Sequence, residues 1–101
     1  MSRARIQVPR ERLETVCRRH HIRWLALFGS VLRDDFRPDS DIDVLIEFEP
    51  EEPYTYFTLA RIEDDLSDVL GRKVDVHVPR MLHPYIRDKV LSQAEELYVG
   101  P

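Results

Sequence analysis

Glycine, serine and aspartate occur in this 101-residue chain at a spacing that suits phosphate chemistry. Gly29-Ser30 precedes Asp41 and Asp43, and a third acid, Asp75, lies in a later apolar segment. A glycine lets a ligand approach the backbone closely, and a serine at the start of a helix offers its hydroxyl and nearby amides to phosphate oxygens. We therefore expect Gly29 and Ser30 to bind the phosphates of a nucleotide.

The three aspartates indicate a site for divalent cations. Asp41 and Asp43 are two residues apart in an extended segment, so both carboxylates point to one side of a sheet while Ile42 and Val44 point to the core. If the strand that contains Asp75 is adjacent, the three carboxylates repel one another by about 1 to 4 kcal/mol per pair. Mg²⁺ relieves this repulsion and takes its remaining ligands from substrate phosphates. Two ions about 3.5 to 4 Å apart would hold the attacking and leaving oxygens of an in-line displacement, which is the chemistry of nucleotidyl transfer.

Hydrophobic periodicity predicts the helices and strands that position these residues. In the first half of the chain it predicts a helix over 9–21, a buried strand over 24–28, a short helix over 31–33 and a strand over 42–48. In the second half it predicts a helix with an apolar stripe over 59–70, capped by Gly71, and a strand over 73–78. A closing helix follows, and its apolar side runs from 84 to 97. Alternation in the last strand presents Asp75 and His77 on one face, where we interpret His77 as half-exposed and outside the site. We expect one domain over 1–101 of the α/β (α+β) class, with a small mixed β-sheet flanked by helices.

Length and composition limit the class of protein. A chain of this length buries only about two-thirds of the surface that its unfolded form exposes, so we expect a small core and an open groove as the active site. Cys17 is the only cysteine, which excludes an intramolecular disulfide and favours a reducing compartment, so we expect the cytoplasm. No stretch of 18 apolar residues is present, and we expect no membrane span.

Charge is distributed unevenly along the chain, whose net charge is -4. Residues 1–37 contain nine arginines and four acids, whereas residues 38–70 contain one arginine and eleven acids. The net negative charge argues against direct binding of nucleic acid. An arginine-rich segment beside an acidic one suits a site where phosphates and cations meet.

Three segments resemble the minimal nucleotidyltransferases, or MNT proteins, which are small members of the polymerase-β-like superfamily. The segments are Leu-Phe-Gly-Ser at 27–30, Arg-Pro-Asp-Ser-Asp-Ile-Asp-Val-Leu at 37–45 and Arg-Lys-Val-Asp at 72–75. Members of this family are commonly encoded beside a HEPN-domain protein as a toxin and antitoxin pair. The resemblance implies a polymerase-β-like fold and transfer of AMP from ATP to a tyrosine hydroxyl of the HEPN ribonuclease, which silences the toxin.

The resemblance also implies roles for individual residues. Asp41 and Asp43 would bind two Mg²⁺ ions, and Asp75 would complete one metal site and accept the proton of the attacking hydroxyl. Gly29 and Ser30 would hold the nucleotide phosphates. Arg33, which flanks this loop and matches the family, is a further nucleotide-binding candidate.

Two positions depart from the family pattern and leave an alternative open. Many relatives have Arg directly after Gly-Ser and Gly three places further on, where this chain has Val31 and Asp34. Losing a cation and gaining an anion beside the phosphate loop would weaken ATP binding. The alternative is therefore a non-catalytic antitoxin that neutralises its partner by binding and occlusion. Transfer to a small molecule is disfavoured because the chain lacks a second domain to bind such an acceptor.

Overall fold

The computed structural model of the chain describes residues 6–32, 37 and 40–100, except for the side chain of Ser30. In chain order the elements in these residues are α1 (Arg10–Arg19), β1 (Ile22–Phe28), a 3-10 turn (Gly29–Leu32), β2 (Ile42–Phe48), α2 (Tyr56–Leu70), β3 (Val74–His77), a second 3-10 turn (Pro79–Met81), α3 (Pro84–Gln93) and β4 (Glu95–Val99). Within this part of the chain, no helix is long and apolar enough to cross a membrane.

The four strands form one mixed sheet in the order β3-β2-β1-β4. β1 is antiparallel to both β2 and β4, whereas β2 is parallel to β3. A parallel pair needs a crossover connection, and α2 supplies it between β2 and β3. The predicted α/β (α+β) class, with a small mixed sheet flanked by helices, is therefore confirmed.

One face of the sheet packs against α1 and α2 and forms the hydrophobic core. The core side chains come from both helices and from alternating strand positions, and they include Leu13, Val16, Cys17, Leu25, Leu27, Ile42, Val44, Ile46, Ile62, Leu66, Val74, Val76 and Leu97. Successive strand residues point to opposite faces. Asp43 and Asp75, which lie between core positions, therefore point away from α1 and α2.

Cys17 is fully buried in this core. Burial raises the pKa of its thiol to about 12, and the neighbouring Glu14 carboxylate adds to the shift. Because only a thiolate is strongly nucleophilic, Cys17 acts as a small apolar packing group.

Specific residues fix α2 at both ends. At the start, the Thr58 amide donates to the Thr55 hydroxyl at 3.4 Å and the Thr55 amide donates to the Thr58 hydroxyl at 3.1 Å, which forms a capping box. At the end, Gly71 has a left-handed backbone with φ of 71° and donates its N–H to the Ser67 carbonyl at 2.8 Å. The predicted glycine cap is confirmed, and it directs the chain back into β3.

Side chains of α2 also protect the open edge of β3. The Val74 amide donates to the Ser67 hydroxyl at 3.1 Å, and the Val76 amide donates to the Glu63 carboxylate at 2.9 Å. Unpaired amides along an edge strand invite pairing with another chain. The two helix side chains satisfy these amides and hold in place the strand that contains Asp75.

The closing helix predicted over 84–97 is wrong in its second half. α3 ends before Ala94, whose backbone is extended, and the following residues form β4 against the outer edge of β1, with Glu95 opposite Leu27. None of the α3 side chains is buried, so the apolar spacing that includes Ile86 did not mark a helix packed on the core. Leu97 reaches the core through the sheet instead.

Candidate active site

The sheet brings two of the predicted aspartates side by side. Asp43 in β2 is in register with Asp75 in the parallel strand β3. Neighbouring strands lie about 4.8 Å apart, and residues in register project from the same face. Asp41 directly precedes β2. The amide of the next residue, Ile42, donates to the Lys73 carbonyl at 2.9 Å, so the pairing of β2 with the β3 side of the sheet extends to this point. All three carboxylates are partly exposed at this end of the sheet.

Gly29 lies directly against Asp43. It follows β1, whose last residue Phe28 is paired with Asp43, and it has a left-handed backbone with φ of 78°. A Cβ atom at this position would lie 2.6 Å from Asp43 Oδ2, closer than side-chain contacts allow. Glycine is therefore needed at residue 29 for two reasons, the backbone conformation and the close approach of the carboxylate.

The remaining nucleotide-binding candidates are only partly visible. Ser30 follows Gly29 in the 3-10 turn, where its backbone is described and its side chain is not. Arg33 and Asp34 lie outside the described residues. Val31 is fully buried in the core, so the position at which many relatives have arginine does not present its side chain to a phosphate.

Two cationic groups lie near the aspartates. Lys73 Nζ is 3.8 Å from Asp41 Oδ2, on a side chain that is 74% exposed, and His77 Nε2 is 3.7 Å from Asp43 Oδ1. At that distance the His77 contact is longer than a hydrogen bond, and it is an ion pair only when His77 is protonated. The Asp43 carboxylate raises the pKa of His77 above its ordinary value, burial opposes the shift, and the carboxylates of Asp75 and Glu63 add to it.

His77 is the residue of this site that the sequence interpretation left out. Its ring also makes an edge-on contact with Phe28, with ring centroids 5.3 Å apart. The strict alternation over 73–78 already put it beside Asp75, since residues two apart on a strand share a face. Asp75 and His77 therefore had to lie on the same side of the sheet, but the contact of His77 with Asp43 depends on the pairing of β3 with β2.

The donor set fits a magnesium ion in chemistry and in backbone placement. Magnesium prefers oxygen ligands at about 2.1 Å, and Asp41, Asp43 and Asp75 offer carboxylate oxygens from one face. Their oxygens are spread, however, because no choice of one oxygen from each acid brings all three within 4.8 Å of one another. Sharing a cation therefore requires rotation of these side chains, which their partial exposure allows.

Comparison with known proteins decides the family. Residues 10–97 match the family model described as a nucleotidyltransferase domain. The chain belongs to this family. The nucleotidyltransferase is 34% identical over 79 residues to a protein of Methanocaldococcus jannaschii provisionally named a protein adenylyltransferase, an alignment that covers 78% of this chain and 83% of the relative.

Solved structures agree with this family assignment. A structure provisionally named a minimal nucleotidyltransferase is 40% identical, with a TM-score of 0.68, and the match covers 84% of the nucleotidyltransferase and 85% of that chain. A complex of a tri-AMPylated HEPN toxin of Shewanella oneidensis with its MNT antitoxin also matches, with a TM-score of 0.65 and 19% identity over 91% of this chain and 70% of that chain. At 19% identity, the similarity to this toxin–antitoxin complex shows the fold alone. The predicted membership of the minimal nucleotidyltransferases and the polymerase-β-like fold are confirmed.

Proposed function

We propose that this nucleotidyltransferase is a Mg²⁺-dependent antitoxin that transfers AMP from ATP to a tyrosine hydroxyl of a HEPN-domain toxin. The observation that supports this most strongly is the register of Asp43 with Asp75, together with the contact of Gly29 on Asp43. It combines two carboxylates and a phosphate-binding turn at one end of the sheet. Asp41 adds a third carboxylate beside them.

Each residue has a role in this proposal. Gly29 and Ser30 bind the phosphates of ATP, with Arg33 as a further contact, and orient the α-phosphorus toward the acceptor. The phenolic oxygen of the acceptor forms a bond to that phosphorus, the bond between the α-phosphorus and the oxygen bridging to the β-phosphorus breaks, and pyrophosphate leaves with the electron pair. Asp75 accepts the phenolic proton. Two Mg²⁺ ions, held by Asp41, Asp43 and Asp75, would supply electrostatic stabilisation of the phosphate charge.

The choice of a protein acceptor is supported by the exposed position of the carboxylates. Asp41 and Asp43 have side chains that are 42% and 30% exposed, on the sheet face that α1 and α2 leave free. A small acceptor would gain little contact there, whereas a protein can supply the opposite wall of the site. The names of the relatives agree, because one is provisionally named a protein adenylyltransferase and one neighbouring structure contains an AMPylated HEPN toxin. A reaction between ATP and a second protein also favours the cytoplasm.

A second candidate function is a binding antitoxin without catalysis. The buried Val31 favours it, because the side chain that follows Gly29-Ser30 gives no positive charge to a phosphate. Lys73 also contacts Asp41, and His77 contacts Asp43. These side chains would compensate the negative charge of the aspartates in place of a metal ion. Under this alternative, the carboxylates are not needed for neutralisation.

Mass spectrometry of the partner separates the two functions. The purified chain would be incubated with ATP, Mg²⁺ and the product of the neighbouring gene, which this proposal expects to be a HEPN-domain protein. We expect the partner to gain the mass of one or more AMP groups and lose ribonuclease activity. Asp41→Asn and Asp43→Asn should abolish both effects, whereas Asp64→Asn, which changes an exposed aspartate of α2, should leave them unchanged.

The outcomes point in different directions. If the partner loses ribonuclease activity without any gain in mass, and Asp43→Asn still neutralises it, the occlusion function is correct and AMP transfer is rejected. If neither protein is modified and the partner keeps its activity, both functions are rejected for this pair.

A further inference from the structure

A second group of metal-ligating side chains lies at the end of the sheet opposite the carboxylates of the candidate active site. His21, directly before β1, meets Glu49, directly after β2, and Glu52 in the loop that follows. One ligand atom from each residue lies within 4.8 Å of the other two. Because β1 and β2 are antiparallel, this end is distant from Asp43, which pairs with the last residue of β1.

The distances in this group suit a shared metal ion better than a direct hydrogen bond. His21 Nδ1 is 3.5 Å from Glu49 Oε2 and 4.0 Å from Glu52 Oε1. A charge-assisted hydrogen bond would bring nitrogen and oxygen to about 2.7 to 2.9 Å. Around a tetrahedral Zn²⁺ with bonds of about 2.0 to 2.2 Å, neighbouring ligand atoms are separated by about 3.4 Å.

The donor types favour Zn²⁺ over the Mg²⁺ expected at the other end of the sheet. Zn²⁺ accepts both imidazole nitrogen and carboxylate oxygen as ligands, whereas Mg²⁺ prefers oxygen ligands alone. The group also follows the C-terminus of α1, where the partial negative charge of the helix end attracts a cation.

A cavity of about 370 Å³ adjoins the two glutamates of this group, although His21 is not among its lining residues. Glu49 and Glu52 are among its lining residues, together with Phe48, Tyr54 and Arg80. Three protein ligands leave one position of a tetrahedral ion open for a water.

We propose that His21, Glu49 and Glu52 form a Zn²⁺ site that is separate from the candidate active site. Bound zinc links the turn between α1 and β1 to the loop between β2 and α2. These segments already meet through the Glu49 amide, which donates to the His21 carbonyl at 2.9 Å. An ion that binds the folded chain alone raises its thermal stability. This proposal does not depend on AMP transfer.

Calorimetric titration with Zn²⁺ alone tests the site in the 101-residue chain. The titration uses the Asp43→Asn background, so that zinc binding at the aspartates is weakened. We expect one Zn²⁺ per chain. Affinity should fall at least about tenfold when either Glu52→Gln or His21→Asn is added, because each removes a ligand. Asparagine is chosen at residue 21 because it tolerates the positive φ of 58° found there.

Glu51→Gln is the matched control, because Glu51 lies between two of the ligands in sequence and is outside the group. It should leave the affinity unchanged. In the same Asp43→Asn background, Zn²⁺ should also raise the melting temperature of the chain without a further change and of Glu51→Gln but not that of Glu52→Gln. A dissociation constant weaker than about 1 mM, or equal affinities for Glu51→Gln and Glu52→Gln, would overturn the proposal. If His21→Asn fails to fold, the comparison of the two glutamate variants still decides.

Discussion

Gly29→Ala tests how the proposed phosphate-binding turn and the carboxylates depend on each other. Gly29 has φ of 78°, and an added Cβ would lie 2.6 Å from Asp43 Oδ2. Gly71 offers a matched control, since its φ is 71° and an added Cβ would meet no atom within 4 Å. Both alanine variants have nearly the same backbone cost, but only one adds a methyl group against a proposed metal ligand.

The structure gives the size of each effect. An alanine in the left-handed region costs about 1 to 2 kcal/mol, so both variants should lose about that much stability. The atom that clashes at residue 29 is at the end of a rotatable side chain, so Asp43 can turn aside at little further cost in stability. It must move by about 0.8 to 1.4 Å to reach the ordinary contact distance of 3.4 to 4 Å. A displacement of about 1 Å at a reacting centre reduces the rate by about 100-fold.

Urea unfolding and AMP transfer to the HEPN partner would be measured for both variants. We expect the free energies of unfolding to agree within about 1 kcal/mol, since the backbone cost is shared. Transfer should fall about 100-fold in Gly29→Ala and remain within about twofold of the parent rate in Gly71→Ala. Equal transfer rates in the two variants would refute the inference that Gly29 is required for the placement of Asp43.

Three further predictions concern stability and can be measured on the chain alone. His20 Nε2 lies 2.6 Å from Asp65 Oδ2, and this contact lowers the pKa of Asp65 below its ordinary value of 3.8. The contact therefore stabilises the folded chain above about pH 4, and this stabilisation is lost as the pH falls through the lowered pKa. The unfolding free energies of the parent and Asp65→Asn should therefore differ by about 1 kcal/mol at pH 6 and converge in acid, and a constant difference would contradict this. Thr55→Ala removes the capping box and should lower the free energy of unfolding in urea by about 1 kcal/mol. A decrease below about 0.3 kcal/mol would show that the cap is dispensable. Glu63→Ala removes the acceptor of the Val76 amide and should speed its hydrogen exchange, whereas unchanged exchange would mean that another group protects it.

Much of the fold followed from local signals in the sequence. The alternation over 73–78 predicted β3, because a strand with a single buried face must alternate. The compact apolar run over 42–48 predicted β2, an inner strand with consecutive buried residues. The end of α2 followed from Gly71, because a left-handed cap strongly favours glycine. These features depend on residues close together in the chain.

The fourth strand depends on contacts that local periodicity does not contain. Glu95 and Glu96 are good helix formers, and Leu97 continues an apolar helical spacing, so the sequence favoured a longer helix there. Leu25, Ala26 and Leu27 are nevertheless all buried, which marks β1 as a central strand with a neighbour on each side. Tertiary pairing with β1 therefore outweighed local propensity.

The candidate site was predictable in part. Two-residue spacing put Asp41 beside Asp43, but the register that pairs Asp43 with Asp75 required the order of strands across the sheet. The contact of Gly29 with Asp43 arises from the pairing of β1 with β2, which neither motif specifies alone. Sequence spacing therefore identified the groups, and tertiary structure determined their distances.

Asp75→Asn gives the most direct test of the central claim, that aspartates from two strands act as one transfer site. The assay is transfer of label from ATP labelled at the α-phosphate to the HEPN partner. The account predicts a loss of at least about 100-fold, similar to that of Asp43→Asn, and little further loss when both changes are combined, because residues that act as a unit are not additive. Transfer by Asp75→Asn within about twofold of the parent rate, in a variant that still folds, would contradict the account.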